Sequence, residues 1–118
     1  MSDVRIQLAS AADGSSIRAL LAAAALPTDD LEEAPSRFWV ARDGRSVVGA
    51  IGLERYGDVG LLRSLVVSSA IRRRGVGRDL VSTVEQQALA AGVGLVVLLT
   101  QTAESFFKRL DYAVVDRA

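Results

Sequence analysis

The sequence contains no cysteine and no histidine. Without cysteine there is no disulfide, no thiolate metal site and no cysteine nucleophile. Without histidine there is no Ser-His-Asp arrangement, none of the commonest zinc sites and no imidazole general base. Proton transfer is left to Asp, Glu, Tyr, Ser, Lys, bound water or a basic group on a substrate. The 14 basic residues balance the 14 acidic ones, so no overall basic excess points to nucleic-acid binding as the main role. Apolar runs such as residues 92–99 fall far short of the roughly 20 residues that span a bilayer. Asp3 and Arg5, so close to Met1, do not resemble a signal peptide. A cytoplasmic protein with neither nucleic acid nor membrane as partner is expected. The 118 residues are half hydrophobic, enough for one domain (1–118) with a real core. There is no internal repeat, and the Ala-rich patch at 19–25 favours helix.

One stretch organises the rest. Leu61 to Val67 is an apolar run of strand length, interrupted by Arg63 and Ser64. From Val76 the positions Leu80, Val81, Val84 and Ala88 recur at helical spacing, with Arg78, Asp79, Ser82, Glu85 and Gln86 opposite. Between them lie Arg72, Arg73, Arg74, Gly75 and Gly77. A strand feeding a glycine loop at a helix N-terminus is suited to anions, because the first-turn N–H groups are unpaired and the helix dipole favours negative charge. The glycines let backbone approach a ligand. A phosphate or pyrophosphate site centred on residues 73–78 is the reading; a plain strand-to-helix turn with solvated arginines is the alternative. No Lys-Ser or Lys-Thr follows the glycines, which excludes a P-loop, and the glycine spacing is wrong for a dinucleotide fingerprint.

In chain order, alternation predicts a strand at Val4–Ala9, and Ser10 with Asp13 opens a helix that Pro27 ends. Residues 28–33 read as a second short helix with carboxylates in its first turn. Phe38 to Ala41 is a strand, Asp43-Gly44 a hairpin turn, and Val47–Tyr56 the return strand. Alternation puts Val48, Ala50, Gly52, Glu54 and Tyr56 on one face and Val47, Gly49, Ile51, Leu53 and Arg55 on the other. The first face is small in its middle, leaving room for a ligand beside a carboxylate and a phenol. Gly57-Asp58 turns into the strand ending at Val67. Gly92 and Gly94 end the long helix, and Leu95–Leu99 is expected to be a buried strand. A short helix at Ala103–Leu110 and a strand beginning at Asp111-Tyr112 complete the chain.

The run from Ser64 to Gly77, with its Arg72-x-x-Gly75-x-Gly77, resembles the acetyl-CoA motif of the GCN5-related N-acetyltransferases (GNAT). The three antiparallel strands before it and the Phe106-Phe107 pair after it extend the resemblance over most of the chain. It implies a mixed α/β fold: N-terminal antiparallel strands, then a parallel β-α-β segment, in a splayed central sheet flanked by helices. It implies acetyl-CoA as co-substrate, no metal, and direct transfer to the amine of a small molecule. Carried over by position, the backbone of Leu65, Val66 and Val67 takes the pantetheine arm. The loop of Arg72, Arg73, Arg74, Gly75, Val76, Gly77 and Arg78 takes the pyrophosphate. The family often has Pro where Ser69 stands, and an aromatic at Ile71. Many members have Tyr at the position of Phe107, where it can protonate the departing thiolate; Phe107 cannot. The family's final strand is also missing, which implies an open sheet edge filled by a partner subunit in a homodimer or by a shifted strand, or else a truncated chain. The segments at 26–31, at 52–58 together with 61–64, and at 98–100 are similar to acetyltransferases linked to arsenic resistance.

Four further residues complete the candidates. Glu54 reads as general base, or as a rim carboxylate paired with Arg55 or Arg63. Tyr56 orients the acceptor or acts as acid, or is an edge aromatic. Arg63 binds an anionic group of the acceptor, or pairs with Glu54 or Asp58. Thr100 lies where ligands gather at strand ends, or caps the following helix. A catalytically weak CoA-binding or dimerising domain is the rival to an enzyme.

Overall fold

The computed structural model describes residues 4–26, 36–71, 75–98, 104–110 and 112–113. The readings that fall on a helix at 28–33, on Arg72, Arg73 and Arg74, and on Thr100 lie outside the described residues. The elements run β1 (Val4–Leu8), α1 (Gly14–Ala23), β2 (Ser36–Asp43), β3 (Ser46–Tyr56), β4 (Val59–Val67), α2 (Val76–Ala90), β5 (Leu95–Leu98) and α3 (Glu104–Lys108). The sheet order is β1-β2-β3-β4-β5. Each neighbouring pair is antiparallel except β4 and β5, which are parallel and are joined by the helical crossover that parallel pairing requires.

The two sheet faces carry separate apolar clusters. On one, Val76, Leu80, Val81, Val84 and Ala88 of α2 pack with Trp39, Ala41, Ile51, Leu53, Leu62 and Phe107. These are the five α2 positions that the helical spacing picks out, and all five are buried. Leu80 is fully buried, which contributes about 2 kcal/mol over an exposed position. On the other face, Ile17 and Leu21 of α1 pack with Val40, Ala50 and Val66.

Several boundaries differ from expectation for local reasons. The Ser10–Asp13 pair does cap a helical start: the Ser10 N–H donates to Asp13 Oδ2 at 2.8 Å. A 3-10 turn at Ala11–Asp13 comes first, however. Asp13 also accepts from Arg42 Nη2 at 2.6 Å, which ties this turn to β2. Helix α1 ends at Ala23 rather than at Pro27. Ala25 takes φ +58°, and the Leu26 N–H returns to the Leu21 carbonyl at 2.9 Å, closing the helix by a left-handed residue. The hairpin turn is Gly44-Arg45, since Asp43 still pairs with Ser46. Tyr112 and Ala113 are not in a strand.

Two irregularities re-aim side chains in the middle of the sheet. The β2–β3 register slips between Ala41 and Arg42, leaving Val48 as the extra residue. Val48 therefore packs on the α2 cluster and Val47 on the α1 cluster, the reverse of simple alternation. The β3–β4 register goes from Ala50↔Val66 to Gly52↔Arg63, so Ile51 faces two residues, Ser64 and Leu65. Ser64 there takes φ +58°.

Candidate functional site

The β4–α2 junction is built from backbone. Gly75 caps α2 with φ +75°, a conformation that L side chains rarely adopt. The helical ladder begins with the Asp79 N–H to the Gly75 carbonyl at 3.0 Å. The N–H groups of Val76, Gly77 and Arg78 precede it and have no carbonyl four residues back within the helix. The Val76 side chain is buried in the core, so only its backbone belongs to the junction. Arg78 is exposed, and its Nη2 would lie 3.2 Å from a Cβ at Gly75. A Cβ at Gly77 would meet the Phe106 ring at 3.3 Å and Val67 Cγ2 at 3.7 Å. Glycine at this position thus lets α2, the end of β4 and the α3 aromatic come together. Phe106 was not among the expected site residues; a Phe-Phe pair in the sequence gives no sign of which ring turns towards the glycine.

The described β4–β5 pairing runs from Val59↔Leu95 to Leu62↔Leu98. Beyond it β4 passes through the Ser64–Leu65 bulge and continues to Val67. Leu65, Val66 and Val67 run from the bulge to the end of β4, where Val67 Cγ2 approaches Gly77. Ser64 is the second unforeseen residue: a left-handed serine inside an apolar strand has no signature in the sequence.

The acid cluster is built from side chains. Glu54 is 7% exposed. Its Oε1 accepts from Arg63 Nη1 at 2.6 Å and its Oε2 accepts from the Tyr56 hydroxyl. Arg63 Nε lies 3.3 Å from Ser64 Oγ, which links the cluster to the bulge. Of the partners weighed for Glu54 and Arg63, the structure selects each other; Arg55 instead donates to the Gly57 carbonyl at 2.9 Å. The Tyr56 pKa is raised above its ordinary value, first because Glu54 accepts its proton in a hydrogen bond, then through desolvation and the carboxylate's charge. The space expected over Gly52 is occupied: a Cβ there would lie 3.0 Å from Arg63 Cγ and 3.0 Å from the Phe38 ring. Tyr56, on the other side of Glu54, is 54% exposed.

Phe107 is buried against Phe106 and Tyr112, with ring centroids 5.0 and 5.4 Å apart. It is a core residue. The Tyr112 hydroxyl donates to Glu85 Oε2 at 2.7 Å, and burial first, then this bond, pushes its pKa well up. Strand β5 also departs from expectation: Leu95 and Val97 are 57% and 37% exposed, while Val96 and Leu98 pack on the core.

A family model described as the acetyltransferase (GNAT) domain matches residues 34–114. No curated sequence relative matches the chain. Among solved structures, a Trypanosoma brucei acetyltransferase is 20% identical with a TM-score of 0.81, the alignment covering 98% of this chain and 96% of that one. Glucosamine-6-phosphate N-acetyltransferase of Arabidopsis thaliana is 14% identical with a TM-score of 0.80, covering 98% and 95%. Both likenesses concern the fold. A Mycobacterium tuberculosis protein in complex with CoA and NLQ is 26% identical with a TM-score of 0.84, covering 95% of this chain and 73% of that chain.

Proposed function

Given that the chain belongs to the acetyltransferase (GNAT) domain family, we propose that it binds acetyl-CoA and transfers the acetyl group to the amine of a small molecule. The observation that carries this reading is the junction itself. A left-handed glycine cap, three first-turn N–H groups and Arg78 sit at the end of β4, beyond the last described pair with β5. Pyrophosphate is held by the N–H groups of Val76, Gly77 and Arg78, helped by the helix dipole. The pantetheine arm lies along the backbone of Leu65 to Val67, which places the thioester at the Ser64–Leu65 bulge. The CoA-bound Mycobacterium tuberculosis relative supports the assignment of the coenzyme.

The reaction is a single displacement. The amine nitrogen attacks the thioester carbonyl, the C–S bond breaks, and CoA leaves as a thiolate. The attacking amine must shed a proton, and Glu54 is the carboxylate available beside the bulge. Arg63 and Tyr56 fix its orientation from two sides, which suits a base that must meet a substrate in one geometry. Phe107 has no proton to give, so the thiolate is protonated by the transferred amine proton or by solvent. A homodimer in the cytoplasm belongs to this reading.

The test begins with calorimetric titration of acetyl-CoA, with dephospho- and desulpho-analogues and acetylpantetheine as controls. Binding that dephospho-CoA retains, because it keeps the pyrophosphate, and that acetylpantetheine loses, because it lacks it, supports the junction. A screen of amines with thiol detection follows, including small amino acids and arsenical analogues, which address the narrower resemblance. Binding without any thiol release from the screen favours the CoA-binding domain without efficient catalysis. Absence of acetyl-CoA binding ends the proposal.

A further inference from the structure

The face of the sheet that carries Glu54 and Tyr56 continues across β4 and β5 as an apolar shelf. Register fixes the neighbours in two rows. Tyr56 pairs with Val59, which pairs with Leu95; Glu54 pairs with Leu61, which pairs with Val97. Paired residues share a face. The alternate residues on the same strands, Leu53, Leu62, Val96 and Leu98, pack on the α2 side. Val59, Leu61, Leu95 and Val97 therefore point the other way, and among the described residues α1 covers only the far half of that face, around Val40, Ala50 and Val66. Leu95 and Val97 are markedly exposed, and Val59 and Leu61 are half-buried. An exposed apolar strip beginning beside a carboxylate asks for a ligand with a positive head and an apolar body.

We propose that the acceptor is a primary amine borne on an apolar alkyl or aryl group, its nitrogen at Glu54 and its body on the Leu61–Val97 and Val59–Leu95 rows. The inference rests on the acetyl-transfer reading, and it names the acceptor class for that site. Two observations select this occupant. The Glu54 carboxylate accepts one bond on each oxygen, from Arg63 and from Tyr56, and keeps a second lone pair on each for an ammonium N–H; the shelf is continuous with it through direct register pairs. The span also fits: two strand spacings separate β3 from β5, about 10 Å, within reach of a phenethyl or hexyl group leaving an amine at Glu54. A small hydrophilic amine leaves the shelf exposed to water and gains nothing from it.

The experiment uses the full chain saturated with CoA, so that binding is read without turnover. Ethylamine, butylamine, hexylamine and phenethylamine are titrated by NMR chemical-shift perturbation, with ethanolamine as the polar control. Affinity is expected to rise about two- to fourfold per added methylene, with the largest shifts at Val97 and Leu95. Val97→Ser and Leu95→Ser, both at exposed positions, are expected to flatten that slope while melting temperature and acetyl-CoA affinity stay within error. A wild-type slope of zero, or a slope that both variants retain, overturns the proposal. Sedimentation is run alongside. A wild-type dimer that the two serine variants dissociate, with no chain-length slope in either state, identifies the shelf as a self-association surface and likewise overturns it. Loss of acetyl-CoA binding in the wild type is a different result, one that fails the acetyl-transfer reading itself; the amine slope is measured separately.

Discussion

The two ends of β4 solve different problems with different materials. At its C-terminal end the β4–α2 junction uses backbone: a left-handed Gly75, a side-chain-free Gly77 and the first N–H groups of a helix. At its N-terminal half the cluster of Glu54, Tyr56 and Arg63 uses side chains that hold one another in place. On the proposed function the first site is broken by adding atoms, because its ligand would touch main chain. The second is broken by deleting or neutralising them, because each group is fixed by its neighbours. Different kinds of substitution therefore inform at the two ends, and under the proposed function they separate coenzyme binding from chemistry.

The largest expected effect is at the side-chain end. Glu54→Gln keeps size and one acceptor oxygen but cannot take a proton. Acetyl transfer is expected to fall by about 10²–10⁴-fold, the usual value of a positioned base, while acetyl-CoA affinity by calorimetry stays within about twofold. Equal losses in both would show that the two ends of β4 are not separable. At the backbone end, Gly75→Asp is expected to weaken acetyl-CoA binding by about 30-fold or more. It puts a carboxylate at the proposed pyrophosphate position, on a residue at φ +75°. Gly75→Asn is its control: it has nearly the same shape and tolerates the left-handed region equally but carries no charge. Asn restoring most of the affinity assigns the loss to charge. Asn binding as poorly as Asp assigns it to shape.

The same contrast explains what was legible in the sequence. At the junction the glycine cap and the buried face of α2 are legible in the sequence, while Arg72, Arg73 and Arg74 lie outside the described residues. Glycine and helix periodicity are direct statements about main chain, and Val76, Leu80, Val81, Val84 and Ala88 announced the buried face of α2. The side-chain cluster was read as a set of alternatives. Glu54, Tyr56 and Arg63 were each picked out, but their pairing depends on a register that slips by one residue at Ser64–Leu65. That slip, and the one that moves Val48 to the other face, come from tertiary fit and leave no periodic trace. The room expected over Gly52 failed for a related reason: Phe38 comes from the neighbouring strand, and a single strand's alternation says nothing about how far a neighbour's ring reaches.

Asp13 and Arg42 extend the side-chain rule to stability. The Asp13 carboxyl is held below its ordinary 3.8, first by the Ser10 N–H and then by Arg42. A carboxylate whose folded pKa is depressed contributes stability that is fully present above the unfolded value and is lost as pH falls through the folded one. Asp13→Asn is therefore expected to cost about 2 kcal/mol at pH 7, in the range of a hydrogen bond to a charged group. The difference from wild type should shrink as pH drops below 3.8. Urea midpoints at pH 7 and pH 3 measure it, and a difference that does not change with pH would deny the ion pair its role.

The smallest effect sharpens the backbone rule, because two left-handed positions among the described residues are not glycine. Ala25 ends α1 at φ +58° and Ser64 holds the β4 bulge at φ +58°. An L residue there bears a steric cost of about 1 kcal/mol, part of which glycine relieves. Ala25→Gly is expected to stabilise the protein by about 0.5–1 kcal/mol, since no described ligand group or side-chain contact depends on it. Ser64→Gly relieves the same conformation but gives up the Ser64 Oγ contact with Arg63 Nε. Its gain in stability should be smaller than that of Ala25→Gly, and it should lower turnover where Ala25→Gly does not. If the two substitutions stabilise equally and leave the rate unchanged, the bulge is only a bend in the strand. If they divide as expected, Ser64 is the point where the backbone-built and side-chain-built parts of the site meet.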